Sequence, residues 1–164
     1  EKAFIFPNET HQNGNDLILP NWITAGDVLK DIDIELDEDK KMVAGSKHSN
    51  LLKKIPPGEN YLFFTKERNH PNPKFKWRSR YWSFLLKLSK NRPSWTIQAS
   101  HSNNMGPFHW KNRFLRINEI KRLQSFDDSF KLRGNYKEQW RQIGNAVPPM
   151  LAYHFAKKIK KDYF

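Results

Sequence analysis

Charge is divided unevenly along this chain of 164 residues, and any fold it adopts has to accommodate the division. Residues 1–40 hold 3 basic and 10 acidic side chains, a net of −7, while residues 41–164 hold 26 basic and 7 acidic, a net of +19. Residues 53–92 alone carry 11 basic against 2 acidic side chains. A net charge of +12 favours a polyanionic partner. On that reading the acidic stretch 31–39 (Asp-Ile-Asp-Ile-Glu-Leu-Asp-Glu-Asp) faces away from the polyanion. The blander reading is a solvated acidic loop on a generally basic surface. Aromatic residues are interleaved with the cations: 12 Phe, 6 Trp and 5 Tyr. Each can bury about 150–250 Å², enough for a real core that a disordered basic tail would lack. The length suits one domain of roughly 100–200 residues, or one domain plus an appendage.

The chain has no cysteine. That excludes a disulfide framework, a cysteine zinc site, an iron–sulfur cluster and a cysteine nucleophile among these residues. The six histidines show no metal-like pairing, so no metal site is expected. No apolar run approaches the roughly 18 residues a membrane span needs, and no export leader is visible. The chain starts at Glu1 rather than methionine, and is expected to be a piece of something longer.

Local patterns suggest an α+β chain of short strands and loops in the middle, with helices towards the C-terminus. Residues 2–6 read as a strand stopped by Pro7, and residues 8–21 as a loop. Thr24 is a candidate helix N-cap with Asp27 at the third helical position, and Val28, Leu29 and Ile32 form the apolar face. Residues 55–58 are a turn. Residues 61–64, 80–88 and 95–99 have strand-like composition, with a short helix the alternative for 80–88. Ile117, Ile120 and Leu123 predict a helix over 117–126. Another helix should begin near Pro148 and run past Ile159, ending in lysines that complement its dipole.

Two stretches carry a specific resemblance. The run from Arg113 to Phe130 and the run Gln-Ile-Gly-Asn-Ala-Val-Pro-Pro from Gln142 to Pro149 resemble the ninth and tenth signature blocks of DNA cytosine-5 methyltransferases. In the first block Arg113, Leu115, Glu119, Arg122, Leu123, Gln124, Phe126 and Phe130 match. Arg116 stands where the pattern has Thr, and Asp127 where it has Pro. The missing Thr would have capped the helix against Glu119, and its loss should cost about 1 kcal/mol unless compensated. The second block matches without departure. More loosely, Pro-Ser-Trp-Thr-Ile at 93–97, Gly-Pro-Phe-His-Trp at 106–110 and Trp-Ile-Thr-Ala-Gly-Asp-Val-Leu-Lys-Asp-Ile at 22–32 resemble the recognition half of the family.

The resemblance implies a division into an acidic opening segment with a short helix (1–40), a DNA target-recognition domain with the ninth block at 113–130 (41–130), and the tenth block with the C-terminal helix (131–164). The last helix would belong to the catalytic large domain of the parent enzyme. The family's Pro-Cys nucleophile, its Glu-Asn-Val block and its glycine-rich donor loop are all absent, so no catalytic residue is expected here and the chain alone should not transfer methyl groups. What remains is grip on DNA. In the family's reaction the cytosine must leave the duplex, and holding the DNA requires cations for phosphates and side chains that read base edges.

Lys66, Arg68, Lys74, Lys76, Arg78 and Arg80 are the leading candidates for that grip. Arg78 or Arg80 reading a guanine bidentately would contribute about 1–3 kcal/mol of discrimination. Trp77, Tyr81 and Trp82 can stack or wedge, but burial tendencies favour the core for them. The loop Ser100, His101, Asn103 and Asn104 has polar groups suited to base edges, although loops of this composition are common. The resemblance places Thr96 near the target phosphate, and Asn145 and Ala146 at the edge of S-adenosylmethionine, where the start of a helix offers backbone N–H groups. Arg113, Glu119, Arg122 and Gln124 are read as structural, with Glu119 and Arg122 paired three apart on one helix face. His109 is read as a structural, hydrogen-bonded histidine.

These readings point to the recognition portion of a bacterial, cytoplasmic cytosine-5 DNA methyltransferase, with a restriction–modification system as its expected setting. Its expected partners are duplex DNA and the N-terminal catalytic half. The apolar face of Val147, Leu151 and Phe155 would fold back or drive a homodimer in isolation. The alternative is a non-catalytic nucleic-acid-binding module, including the partner subunit of a split methyltransferase. A nuclease is weaker, because no compact nuclease pattern stands out.

Overall fold

The computed structural model describes residues 3–14, 18–100 and 102–164. Its α-helices are α1 (Ala25–Leu29), α2 (Ser49–Lys54), α3 (Ile117–Leu123), α4 (Tyr136–Asn145) and α5 (Pro149–Tyr163). The capping box expected at Thr24 is present. Thr24 Oγ1 accepts from Asp27 N at 3.1 Å, and Asp27 Oδ2 accepts from Thr24 N at 3.0 Å. The helix stops early because the N–H groups of Ile32 and Asp33 both return to the Leu29 carbonyl, at 3.0 and 2.8 Å. Its first turn lies on residues 90–92: Ala25 N donates to Arg92 O and Gly26 N to Lys90 O. A Cβ on Gly26 would sit 2.5 Å from that Lys90 oxygen, so only glycine fits this approach.

The strand-like runs do not form strands. Tyr61–Phe64 is a 3₁₀ turn, because the Asn60 side chain accepts from Leu62 N at 3.0 Å and Thr65 N returns to Leu62 O at 3.1 Å. Its side chains are not split between a wet and a dry face: Tyr61, Leu62 and Phe64 are all buried. The β-pairing of residues 80–88 among the described residues is limited to isolated bridges, Phe84 with Met105 and Lys87 with Phe108. Leu85, at φ +52°, breaks the extended run between them. Residues 95–99 form no strand either, and the Gln98 carbonyl is taken by the Trp140 indole N–H at 2.7 Å. Residues 3–6 are likewise not a strand; Lys2 lies outside the described residues.

Two apolar cores result. The first gathers Ala44, Leu52, Ile55, Tyr61, Leu62, Phe64, Phe84, Leu85 and Phe108. The second gathers Leu88, Ile97, Leu115, Ile120, Trp140 and Ile143, and so joins α3 and α4 to the segment 95–99. There the backbones approach closely: a Cβ on Gly144 would lie 2.6 Å from both Cα and N of Ala99. Between the cores Lys87 is buried, and its ammonium donates to the Ile55 carbonyl. Burial pulls its pKa down to about 8.

Helix α5 has no fully buried residue. Phe155 is half-buried between Phe4 and Phe6, at ring distances of 6.1 and 5.7 Å, while Val147, Met150 and Leu151 stay exposed. Among the described residues no helix is long and apolar enough to cross a membrane.

Candidate nucleic-acid interface

The cations at 66–80 sit on a segment fastened to the first core at separate points. At one end Thr65 is buried and its hydroxyl donates to Leu62 O. In the middle, Lys74 N and Phe75 N both donate to Phe64 O, at 2.9 and 3.2 Å. At the far end the buried Tyr61 hydroxyl donates to Arg80 O at 2.8 Å and accepts from Arg80 N at 3.1 Å, while Asn60 Nδ2 donates to Trp82 O at 2.8 Å. Lys66, Arg68, Lys74, Lys76, Arg78 and Arg80 all project into solvent. Of these, Arg68 has an acidic neighbour, Glu59, at 3.8 Å. Arg78 lies over the Trp77 ring at 5.9 Å.

The aromatics of this surface are not core. Trp77 is 38% exposed, Tyr81 81%, Trp82 50% and Trp95 38%. The first core is already filled by Tyr61, Phe75 and Phe84, which pack edge to face at 5.7–5.8 Å, leaving the indoles outside. Trp82 touches Trp95 at 5.4 Å, and Ser83 Oγ donates to Gln98 Oε1 at 3.3 Å. Residues 82–83 therefore run alongside 95–98, and Thr96, exposed, lies next to the end of the cationic segment. Ser100 and Asn103 are also exposed. Asn104 is half-buried, with its carbonyl taken by Leu85 N at 2.9 Å; His101 lies outside the described residues.

Ser100 and Asn145 line one groove, together with Ala99, Asn135, Lys137, Glu138 and Arg141. Ala146, at the end of α4, spends its N–H on Ile143 O. The backbone donors expected at the start of the next helix are largely gone. Pro148 and Pro149 have none, and Met150 N donates to Ser125 Oγ at 3.1 Å. What this turn can offer a cofactor is the exposed Asn145 side chain, an edge contact rather than an enclosing site.

Behind these surfaces lies a buried ionic cluster. Glu119, fully buried, accepts from Arg113 Nη1 and Nη2 at 2.8 and 2.7 Å, and from Arg116 Nη2 at 2.8 Å. Its second oxygen also reaches back to Arg116 N at 2.8 Å. That last bond keeps half of the capping box despite the Arg at the Thr position; the guanidinium has no acceptor to supply the other half. Arg116 Nη2 further donates to the carbonyls of Ile32 and Ile34, at 2.6 and 3.3 Å. Burial alone would raise the Glu119 pKa, but the two guanidiniums outweigh it and hold the carboxyl below its usual range.

The acidic opening segment supplies the counter-charges, so it is not simply turned away from the basic surface. Asp39 Oδ1 lies 3.2 Å from Arg113 Nε. Asp33 meets Lys111 at 2.7 Å and Lys90 at 3.1 Å, and accepts from the Trp110 indole at 3.2 Å. Burial would raise the Asp33 pKa, yet Lys111 and Lys90 bring it down to about 2. His109 is fully buried, with Nδ1 accepting from Lys111 N at 3.1 Å and Nε2 3.4 Å from Asp33. Burial, aided by Arg113, pulls its pKa to about 4, so it is a neutral structural histidine at pH 7.

Glu119 does not pair with Arg122. Arg122 instead ties α1 to the end of α3, meeting Asp31 and Asp128 each at 2.5 Å. It cannot serve Glu119, whose oxygens already hold the guanidiniums of Arg113 and Arg116. Gln124 forms the C-cap of α3 and is nearly buried. Asp33 and Asp39 escape sequence reasoning because their partners lie more than 50 positions away in the chain. Lys137 and Arg141 carried a signal, the spacing of four along α4, which went unread because that helix was not expected.

The family model for C-5 cytosine-specific DNA methylases matches residues 1–161. The chain is 38% identical over 163 residues to the type II methyltransferase M.SacI of Streptomyces achromogenes, covering 90% of this chain and 41% of that protein. It is 31% identical over 157 residues to the type II methyltransferase M.NgoFVII of Neisseria gonorrhoeae, covering 95% of this chain and again 41% of the relative. A shorter match, 45% identical over 51 residues, links 31% of the chain to 4% of DNA (cytosine-5)-methyltransferase 3 of Arabidopsis thaliana. The chain thus spans about two-fifths of the length of the bacterial relatives it matches. With nearly its whole length inside the family model, the chain belongs to the C-5 cytosine-specific DNA methylase family.

Proposed function

We propose that this chain is the DNA target-recognition portion of a cytosine-5 methyltransferase of a restriction–modification system. The intact enzyme would pass a methyl group from S-adenosylmethionine to C5 of a cytosine. The observation that carries the reading is the cationic segment 66–80, exposed, nearly free of acidic neighbours and pinned to a packed core, with Thr96 and four exposed aromatics beside it. Cations held in this way neutralise phosphates at little extra ordering cost.

Roles follow from placement. Lys66, Arg68, Lys74 and Lys76 hold the backbone; Arg78 and Arg80, nearest the indoles, read bases. Thr96, Ser100, Asn103 and Asn104 form the adjacent arm. Asn145 contributes to the edge of the methyl donor only once the catalytic half is present. That half would also cover Val147, Met150 and Leu151; without it, a second copy of the chain would. Residues 41–130 are assigned to the recognition domain, with α5 returning to the catalytic domain.

The test is binding of the chain to a random-sequence duplex as a function of salt. The reading expects log K to fall linearly with log salt, with a slope of about −0.9 for each phosphate neutralised. Methyl transfer should be absent with the chain alone and appear when the N-terminal half of the parent enzyme is added. Methylation by the chain alone, or a salt-independent affinity, would refute it.

A further inference from the structure

An apolar recess of about 700 Å³ opens beside the cationic segment, and no role described above uses it. Its walls are Trp22, Ile23, Pro93 and Trp95, with Arg92 and His11 at its edge. Both indoles and Ile23 remain well exposed, although each would bury readily in an ordinary core. Trp95 is shared, touching Trp82 at 5.4 Å on one side and lining the recess on the other. Trp82, two residues past Arg80, is thus the contact that links the recess to the end of the cationic segment. Thr96 follows Trp95 directly.

The lining is held from behind. The Arg92 carbonyl is fixed by Ala25 N at 2.8 Å, and the segment carrying Trp22 is held by a hydrogen bond from Trp22 N to Gln12 O at 2.9 Å. The guanidinium of Arg92 has no carboxylate partner among the described ion pairs.

We propose that this recess takes a single unpaired nucleobase of the bound DNA, stacked on Trp95 and Trp22, with Arg92 holding the adjoining phosphate. The inference rests on the DNA-binding function proposed above and adds to it a site for a base outside the helix. Charge selects this occupant. An apolar side chain of a partner protein would gain from the indoles but not from Arg92 at their edge. A nucleotide satisfies both, because every base has a flat face to stack and carries a phosphate. A site of this size suits a small planar ligand.

The probe is a duplex with one bulged 2-aminopurine, compared with the same duplex fully paired. The chain should bind the bulged duplex more tightly, and stacking on an indole should quench the 2-aminopurine emission. Trp95→Leu should weaken binding of the bulged duplex by about 5- to 150-fold, the range of one lost base–aromatic stack, and so remove the preference for the bulged over the paired duplex. Trp95→Phe should restore part of the preference, which a merely misfolded variant would not do.

Equal affinity for the two duplexes, with unquenched 2-aminopurine on the unaltered chain, overturns the site while leaving the DNA-binding function intact. Loss of binding to both duplexes in the unaltered chain refutes the parent reading instead. Self-association that Trp95→Leu abolishes, with the DNA preference unchanged, would assign the recess to a second copy and overturn the proposal.

Discussion

Replacing Glu119 with Gln tests the ionic cluster most directly. The carboxylate is fully buried and takes five hydrogen bonds between 2.7 and 3.2 Å from Arg113 and Arg116. Glutamine keeps the shape but removes the charge and turns an amide N–H₂ towards guanidinium donors. Two cations, both largely buried, are then left with Asp39 as the nearest remaining carboxylate, 3.2 Å from Arg113 and 3.9 Å from Arg116. Breaking a buried pair by removing one partner costs about 3–5 kcal/mol. A domain of this size has only about 5–15 kcal/mol in total. At roughly 2–4 °C per kcal/mol, the melting midpoint should fall by about 6–20 °C. Thermal and urea unfolding followed by circular dichroism give the number. Lys40→Ala supplies the internal comparison. Its pair with Asp37 is at a similar 2.9 Å but almost fully exposed, and its loss should cost under about 1 kcal/mol. If Glu119→Gln costs no more than Lys40→Ala, the cluster does not organise the fold and the reasoning fails.

Three further outcomes can be checked. His109 titrates near 4 when folded against an ordinary value near 6.5, so the unfolded chain binds its proton first as pH falls; stability should be full above pH 6.5 and drop by about 3 kcal/mol between 6.5 and 4, with further loss as Asp33 is protonated towards pH 2, and a flat urea midpoint from pH 7 to 4 would contradict this. Gly144→Ala places a methyl 2.6 Å from the Ala99 backbone and should cost about 1–3 kcal/mol in chemical denaturation; a neutral result would mean that α4 does not press on this segment. Lys74→Ala and Lys76→Ala should each lower the salt slope of duplex binding by about 1 without altering sequence preference, whereas an unchanged slope would remove these lysines from the interface.

The sequence made some of this legible and hid the rest for identifiable reasons. The start of α1 was readable because Thr24 and Asp27 satisfy each other within four residues. Helices α3 and α5 were readable from apolar spacing and from the prolines at the start of α5. Helix α4 was missed although Asn135 and Glu138 form a capping box, because few of its side chains are apolar: only Trp140 and Ile143 are buried. Strand-like composition misled at 61–64 and 80–88, where Asn60 closes a turn and Leu85 adopts a left-handed backbone. Aromatic composition misled about Trp77, Tyr81 and Trp82, since the core was already filled by other rings. Arg113 and Glu119 were recognisable as structural, but Asp39, which pairs with Arg113, and Asp33, which lies against the buried His109, come from another part of the chain, and no local pattern announces them.

The fastening of the cationic segment has a consequence for how such a protein changes over time. Thr65, the Phe64 carbonyl, Tyr61 and Asn60 hold it at its start, middle and end, so its backbone forms two lobes, 66–73 and 76–79, whose ends are fixed on the core. Side chains at the tips carry little of the folding energy, and exposed substitutions there usually stay within about 0.5 kcal/mol. Each lobe is thus a cassette that mutation can rewrite independently. A lineage can acquire a new contact surface one lobe at a time without ever passing through an unfolded intermediate.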